Sequence, residues 1–499
     1  MRPYLTLLER RCRKHRPFDQ DRWPIFTVLA FATLFLTGTS PSPSPSPSPS
    51  PTSAAPPPTR SYPLVRSDQD WSFLANPANR TDPFDALEYI PLVPDRADWY
   101  ASIGGEIREV NESIGYDLWG AAPYENSYLL QRYLLVTDFH FGSRLRTFIE
   151  FESNNENGRV GGPRPIDVAW IDVLAAFVEA KLGPSAASPS VRIGREELSL
   201  GSGRLVAPRE GPNVRQSFTG VRSQGDIGSV HLDALAVRPD ADNPGAFDDS
   251  PLYSTSLWGL YGSTAPTGAR PQVDAYYLGI ERQHYAIARG TGLERRHTVG
   301  TRVTRPFSLK AAGLDYDDEI MYQFGQFRAN PISAWTVATA TGWHFGPSPL
   351  SPHFLMKADI SSGDDPKSRT VGTFDPYFPI GNYFGVLATT GPGPVNFVDA
   401  HPAVSTVAGP VTITADWLWY WRQRVTDGLY SVPGSLLRPP SGSTAHFVGE
   451  RPGIETHWQV DHHLYLQGDY GVFSAGPFIR QSGSADSLIY RSLWLGYKI

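Results

Sequence analysis

Arginine is the residue type with the most chemistry to offer in this chain. Arg192, Arg195, Arg204, Arg209, Arg215 and Arg222 crowd into one short stretch, and Arg108, Arg132, Arg144, Arg146, Arg422 and Arg424 fall on or near other alternating segments. A guanidinium stays charged, carries five donors in a planar fork and pairs with carboxylates two bonds at a time. Rings of such groups in a narrow pore select anions. The same arginines can instead pair with Glu106, Glu150, Glu196, Glu197, Glu210 and Asp416 across strands and brace a wall. Bracing and selecting are compatible, so both are expectations for these twelve positions.

Other chemistries are poorly supplied. The neighbouring carboxylates Glu196/Glu197 and Asp364/Asp365 look like the acid pairs of a polysaccharide hydrolase. Adjacent residues of a strand point to opposite sides, however, so an extended Glu196-Glu197 cannot flank one glycosidic bond. The 12 histidines are scattered, His462-His463 marks a turn, and no nucleophile-elbow or metal-ligand spacing occurs. Neither an enzyme nor a cofactor is expected.

The elements that must position the arginines are strands. Trp99, Ala101, Ile103 and Ile107 alternate with Ser102, Gly104, Glu106 and Arg108, and Leu145, Thr147, Ile149 and Phe151 with Arg146, Glu150 and Glu152. The same one-sided pattern runs through 353–360, through Val411–Trp421 and through the last strand, where Leu493, Leu495, Tyr497 and Ile499 share a face. Periodicity alone fits a soluble sandwich or a membrane barrel with apolar faces outward. Composition favours the barrel. The chain is only 40% hydrophobic yet holds 13 Trp, 23 Tyr and 25 Phe, with 46 Gly and 46 Pro to punctuate strands. Aromatic surplus without aliphatic surplus suits interfacial girdles, for which Trp417–Trp421 and Tyr276-Tyr277 are candidates. The fold class expected is all-β, a transmembrane antiparallel barrel of about 18 strands. Trp99, Ile103, Ile149, Phe151, Ile413 and Trp417 are expected to face lipid.

The N-terminus supplies an address. Arg10, Arg11, Arg13, Lys14, Arg16 and Arg22 precede an apolar run, Ile25–Leu36, closed by Thr37-Gly38-Thr39-Ser40. This order predicts a signal peptide over 1–39 and hence export. The only cysteine, Cys12, lies within it, so the mature chain has no thiol. Residues 40–59 begin with six Ser-Pro dipeptides and form a linker of extended, polyproline-like character. Residues 60–97 hold no alternating strand and are expected to be ordered but irregular, leading into a barrel over 98–499.

Several phrases along this body resemble the alginate-export family of outer-membrane porins. They are G-G-E-I-R-E (Gly104–Glu109), L-L-Q-R-Y (Leu129–Tyr133), G-R-V-G-G-P-R-P-I-D (Gly158–Asp167), V-R-I-G-R-E-E-L-S-L-G-S-G-R-L (Val191–Leu205), P-R-E-G-P-N-V-R-Q-S-F (Pro208–Phe218) and G-T-F-D-P-Y-F-P-I-G-N-Y-F-G (Gly372–Gly385). The resemblance runs from about Arg60 to the C-terminus; the Ser-Pro tract and a terminal Ile in place of an aromatic depart from the pattern. It implies a monomeric eighteen-strand barrel in the bacterial outer membrane that exports an alginate-like polyuronate. The alternative is a general or anion-selective diffusion porin.

Charge adds a condition. Residues 1–39 carry seven basic and three acidic residues, so the whole-chain −6 becomes −10 once they are removed. Anion preference then needs a positive lumen, with acids segregated into loops, and such a chain offers nothing to nucleic acid. Asp240, Asp242, Asp248, Asp249, Asp315, Asp317, Asp318, Glu319, Asp364 and Asp365 do sit in turn-rich connections. There they are either solvated or hold divalent cations or lipopolysaccharide. One stretch, 362–409, is long and strandless, with an aromatic core of Phe374, Tyr377, Phe378, Tyr383 and Phe384. Loops this long inside a compact body are usually functional, so it is expected to fold into the pore. Four strands following it, with a periplasmic C-terminus, place it at the periplasmic end.

Overall fold

A computed structural model describes residues 60–122, 125–185, 188–266, 270–306, 312–346, 348, 350–385 and 391–499. The expected signal peptide (1–39), with Cys12, and the expected Ser-Pro linker (40–59) lie outside the described residues. No helix among the described residues is long and apolar enough to cross a membrane.

The wall is a closed antiparallel barrel of eighteen strands, all in one sheet. In chain order they are β1 (Trp99–Gly115), β2 (Glu125–Phe141), β3 (Leu145–Asn157), β4 (Ala169–Lys181), β5 (Ser190–Glu197) and β6 (Ser217–Ile227). Next come β7 (Val230–Ala241), β8 (Thr255–Thr264), β9 (Gln272–Ile287), β10 (Gly290–Arg305) and β11 (Gly313–Phe327). Strand β12 is Asn330–Ala338 continued by Ala340–His344, and β13 is His353–Lys357 continued by Ile360–Ser361. The last five are β14 (Phe397–Ala408), β15 (Val411–Arg422), β16 (Phe447–Gln459), β17 (Leu464–Ala475) and β18 (Leu488–Lys498). Each strand pairs with its sequence neighbour, and β1 pairs with β18, from Glu106 opposite Lys498 to Gly115 opposite Ile489. That last ladder removes both free edges.

The faces divide as the alternation requires. Ile103, Ile107, Ile413, Trp417, Leu493 and Leu495 point outward and are exposed, with Trp99, Ile149 and Phe151 half-buried on the same side. Inward from the same strands stand Glu106, Arg108, Glu150, Glu152 and Arg422, all buried. A chain that hides its charges and bares its aliphatics inverts the soluble pattern. On the outer face the Trp417 and Trp419 rings stack 5.5 Å apart and both indole N–H groups donate to Glu450, at 3.1 and 2.9 Å. Rings with apolar bodies and a satisfied polar edge are what an interfacial girdle needs.

One sequence expectation is overturned here. Residues 397–408 are a wall strand, so the irregular stretch ends at 396, and five strands follow it rather than four. An odd number puts 362–396 at the end of the barrel opposite the C-terminus. The misreading traces to Pro402. Proline cannot donate to a ladder, and here it sits where the β14–β15 ladder breaks, between Ala400 opposite Trp419 and Ala403 opposite Asp416. Pro452 sits at an equivalent gap between Glu450 and Gly453 in the β16–β17 ladder. Connections at the end shared by the chain termini are short, such as 228–229, 409–410 and 460–463; the long ones, 198–216, 362–396 and 423–446, lie at the other end.

Candidate functional site

Three chain segments fold into the barrel and decide how much of the lumen stays open. From the long-loop end comes 198–216. Its Leu198, Leu200, Leu205 and Val206 pack on the inward faces of β6–β12 through Phe218, Leu257, Leu278 and Met321. Segment 362–396 follows it inward, adding Phe374 and Tyr377 to that cluster and Phe384 to a second one around Phe397 and Tyr420. The two segments hold each other: Ala207 N–H donates to Phe378 O at 2.9 Å, Phe378 N–H to Leu205 O at 2.8 Å and Ile380 N–H to Gly203 O at 2.9 Å. The expected inward packing of the aromatic core is what the structure shows. Gly201 sits at φ 56°, where a side chain is strained, and a Cβ there would meet the Tyr261 hydroxyl at 2.2 Å, so the turn favours glycine.

The third segment enters from the terminal end. Residues 60–97 form short 3₁₀ turns, one helical turn and a two-residue strand, Ile90–Pro91, that pairs with β1. Val65, Arg66 and Ser67 are buried inside the mouth. Arg66 donates to Ile499 O at 2.5 Å and Gly105 O at 3.3 Å, Arg146 to Ser67 O at 2.7 Å, and Arg215 to Leu64 O at 3.0 Å. Arg60 pairs with Asp85 and Glu88, Tyr62 donates to Glu88 at 2.9 Å, and His463 bonds Asp82 at 2.9 Å. Burial pushes the Tyr62 hydroxyl and the Glu88 carboxyl upward, the Glu88 charge adding to the rise at Tyr62.

The arginines converge on carboxylates. Glu210, at the tip of 198–216, takes Arg108 at 2.9 Å, Arg132 at 2.8 Å and Arg215 at 2.6 Å. Burial alone would raise its carboxyl, but Arg132, Arg215 and Arg108 hold it well below the usual range. Asn213 completes the knot by accepting from Arg108 at 3.1 Å and giving its backbone oxygen to Arg132 at 2.8 Å. Elsewhere Arg146 pairs with Asp138, Arg192 with Glu179 and Glu196, Arg204 with Asp317 and Glu319, Arg209 with Asp242, and Arg222 with Asp233 and Glu196. Arg195 lies 3.4 Å from Asp240 and 3.5 Å from Asp172. Arg422 donates to four backbone oxygens and lies 3.8 Å from the Phe478 ring centre. Arg144 is exposed in the 142–144 turn, and Arg424 is half-exposed, 3.9 Å from Asp365. Thus ten of the twelve are tied to protein groups and two stand at the barrel ends. The expected partners Glu106, Glu196, Glu197 and Glu210 do meet arginines, while Asp416 meets Arg451 instead, at 2.8 Å.

Of the acids expected in connections, Asp240 stands on β7 and Asp315, Asp317, Asp318 and Glu319 on β11 instead; the loop residues Asp248 and Asp249 bring their carboxylate oxygens together with that of Asp172 on β4. Asp172 already accepts the backbone N–H of Asp248 at 2.8 Å and of Asp249 at 3.1 Å, which accounts for the cluster. An open cavity of about 490 Å³ lies elsewhere, against the inward faces of β16–β18. Glu455, His457, Tyr465, Asp469, Trp494 and Lys498 face into it, opposite Glu210 and Gly211. Sequence reasoning missed these residues because it followed the apolar face of the last strand. Lys498, Trp494 and Tyr490 are the other face of that strand, alternating with Tyr497, Leu495 and Leu493.

A closed eighteen-strand barrel narrowed by its own inward loops is a porin-class channel fold. Within that class the chain belongs to the alginate export family, whose sequence model matches residues 99–489. No curated protein sequence matches the chain. Among solved structures it is similar to a BenF-like porin from Pseudomonas fluorescens Pf-5, at 11% identity and TM-score 0.56, covering 80% of this chain and 98% of that one. Pseudomonas aeruginosa OccK2 (OpdF), solved in complex with glucuronate, gives 13% identity and TM-score 0.53 over 80% and 98% of the two chains. Acinetobacter baumannii OccAB1 gives 12% identity and TM-score 0.53 over 83% and 99%.

Proposed function

We propose that this protein is a passive channel of the bacterial outer membrane through which an anionic, alginate-like polysaccharide leaves the cell. The observation that carries the proposal is the family match, which spans nearly the whole wall. The outward aliphatic band and Trp girdle support placement in lipid and lipopolysaccharide, with the long connections outside and the termini in the periplasm. A wall closed by β1–β18 pairing leaves no edge to share, which supports a working monomer. Glucuronate, bound to the similar barrel of OccK2, is itself a uronate. The paired arginines serve this cargo by fixing the inward loops and by placing positive ends of ion pairs around the path, so that carboxylates are held weakly at many points.

A second reading, a diffusion porin for small solutes, draws on the mixed charge of the open cavity. Arg60 and Lys498 there face Glu210, Glu455 and Asp469. Single-channel recording in a planar bilayer separates the two. Added polyuronate should interrupt the ion current in discrete blockades, while a neutral glucan of equal length should not block comparably. Uninterrupted current with polyuronate on either side would leave the diffusion reading standing.

A further inference from the structure

We propose that the open cavity contains a sugar-binding subsite on the β16–β18 wall, where pyranose rings stack on Tyr465 and Trp494 and a carboxylate is met by Lys498. This deepens the polysaccharide reading and rests on it, but moves the contact surface from the arginine knot to a wall that the knot leaves open. A pyranose presents apolar C–H faces ringed by hydroxyls. Its complement is a flat aromatic surface with donors and acceptors at the rim.

The ladder builds that surface. Tyr465 stands opposite Gly496 and Gln467 opposite Trp494, while His457 stands opposite Gln467. A Cβ on Gly496 would meet Tyr465 Cε1 at 2.0 Å, so the tyrosine ring lies across the wall in the space that the glycine leaves. The His457 ring stacks on it, 5.4 Å away and inclined by only 20°, and holds the tyrosine ring in place. Trp494 is fixed from two sides. Its indole N–H donates to Ser492 at 2.8 Å, and the Arg108 guanidinium lies 5.0 Å from its ring centre. Both rings are half-buried and line the cavity, so they are held in place yet reachable. Gln467 and Asp469 supply the polar rim, and Lys498, its Nζ 5.6 Å from the Tyr465 ring centre and 3.9 Å from Glu106, supplies the cation. Glu455 and Asp469 in the same cavity keep the hold on an anion weak, as a moving chain requires.

The test is blockade kinetics of alginate oligosaccharides in reconstituted wild type and in Tyr465→Leu, Trp494→Leu, Tyr465→Phe and Lys498→Gln, each normalised to its own open-channel current. Loss of one stacking ring should shorten blockade dwell times about tenfold. Tyr465→Phe should restore them, since it keeps the ring. Lys498→Gln should shorten blockades by the charged oligosaccharide but leave the brief events of an uncharged malto-oligosaccharide as in wild type. Wild-type blockades that persist unchanged in both Leu variants would overturn the subsite and leave the channel reading intact. Absence of blockades in wild type itself would overturn both.

Discussion

Glu210 carries more of the lumen's organisation than any single arginine. It is one carboxylate serving Arg108, Arg132 and Arg215, so Glu210→Gln leaves three guanidinium groups competing without their shared counter-charge. Breaking such buried pairing from one side costs on the order of 3 kcal/mol. The heat-modifiability midpoint should fall, and the reversal potential in a salt gradient should move toward anions. Replacing Arg192, Arg195, Arg209 and Arg215 together by Gln should move it the other way, because Asp240 and Asp242 lose their arginine partners and Glu179, Glu196 and Glu210 each lose one of theirs. A reversal potential that stays put would show that these four lie off the conduction path. A pH effect is expected at Asp249, whose carboxyl burial pushes up to about 7, with Asp172 and Asp242 adding to it. Its folded form favours the proton, so that contribution is full below the ordinary carboxylate range and is lost as pH rises to about 7. Amides of 243–249 should therefore gain less protection from exchange at pH 8 than at pH 5, after correction for the intrinsic rate. That the arginines pair with acids was legible from residue types alone. Which acid each one meets was not, since Glu210 and Arg108 are neighbours only through a loop turned back into the barrel.

Among the elements, strand faces were the most legible feature, because a period of two needs no tertiary information. Ile149 and Ile413 lie on the outward face as the alternation requires. Arg at either site should destabilise the barrel by about 2–4 kcal/mol if the site lies near the midplane. Urea titration of barrels refolded in lipid vesicles reads this directly. Strand 397–408 was not legible because Pro402 masks it, and with that strand the parity of the long connection was lost. The inward path of 198–216 carried no such alternation. Its leucines read as ordinary apolar residues until their partners on β6–β12 are seen. Exchanging 372–393 for a short Gly/Ser linker removes Phe374, Tyr377 and Phe384 from two interior clusters. Single-channel conductance should rise while the barrel stays heat-modifiable, and an unchanged conductance would mean that 198–216 alone sets the bore.

At the scale of the whole molecule, the barrel is narrowed from both ends by pieces that meet inside it. Arg215 on an inward loop donates to Leu64 O on the N-terminal segment, so the two constrictions are mechanically joined. Deleting 60–97 should keep the eighteen-strand wall, whose ladders do not need that segment beyond the short pairing of Ile90-Pro91 with β1. Conductance should increase and the increase should be asymmetric with voltage, because only one mouth is widened. Closure of the wall has a further consequence, for the clock of assembly. Arg66 and Ile499, bonded at the seam, are 433 residues apart in the chain. The entropy of bringing such distant points together grows only with the logarithm of their separation. Topology this non-local nonetheless folds slowly. Until β18 arrives, β1 keeps an unpaired edge of the kind that recruits other strands. Arrival of the final strand is therefore the event that converts an adhesive intermediate into an inert ring.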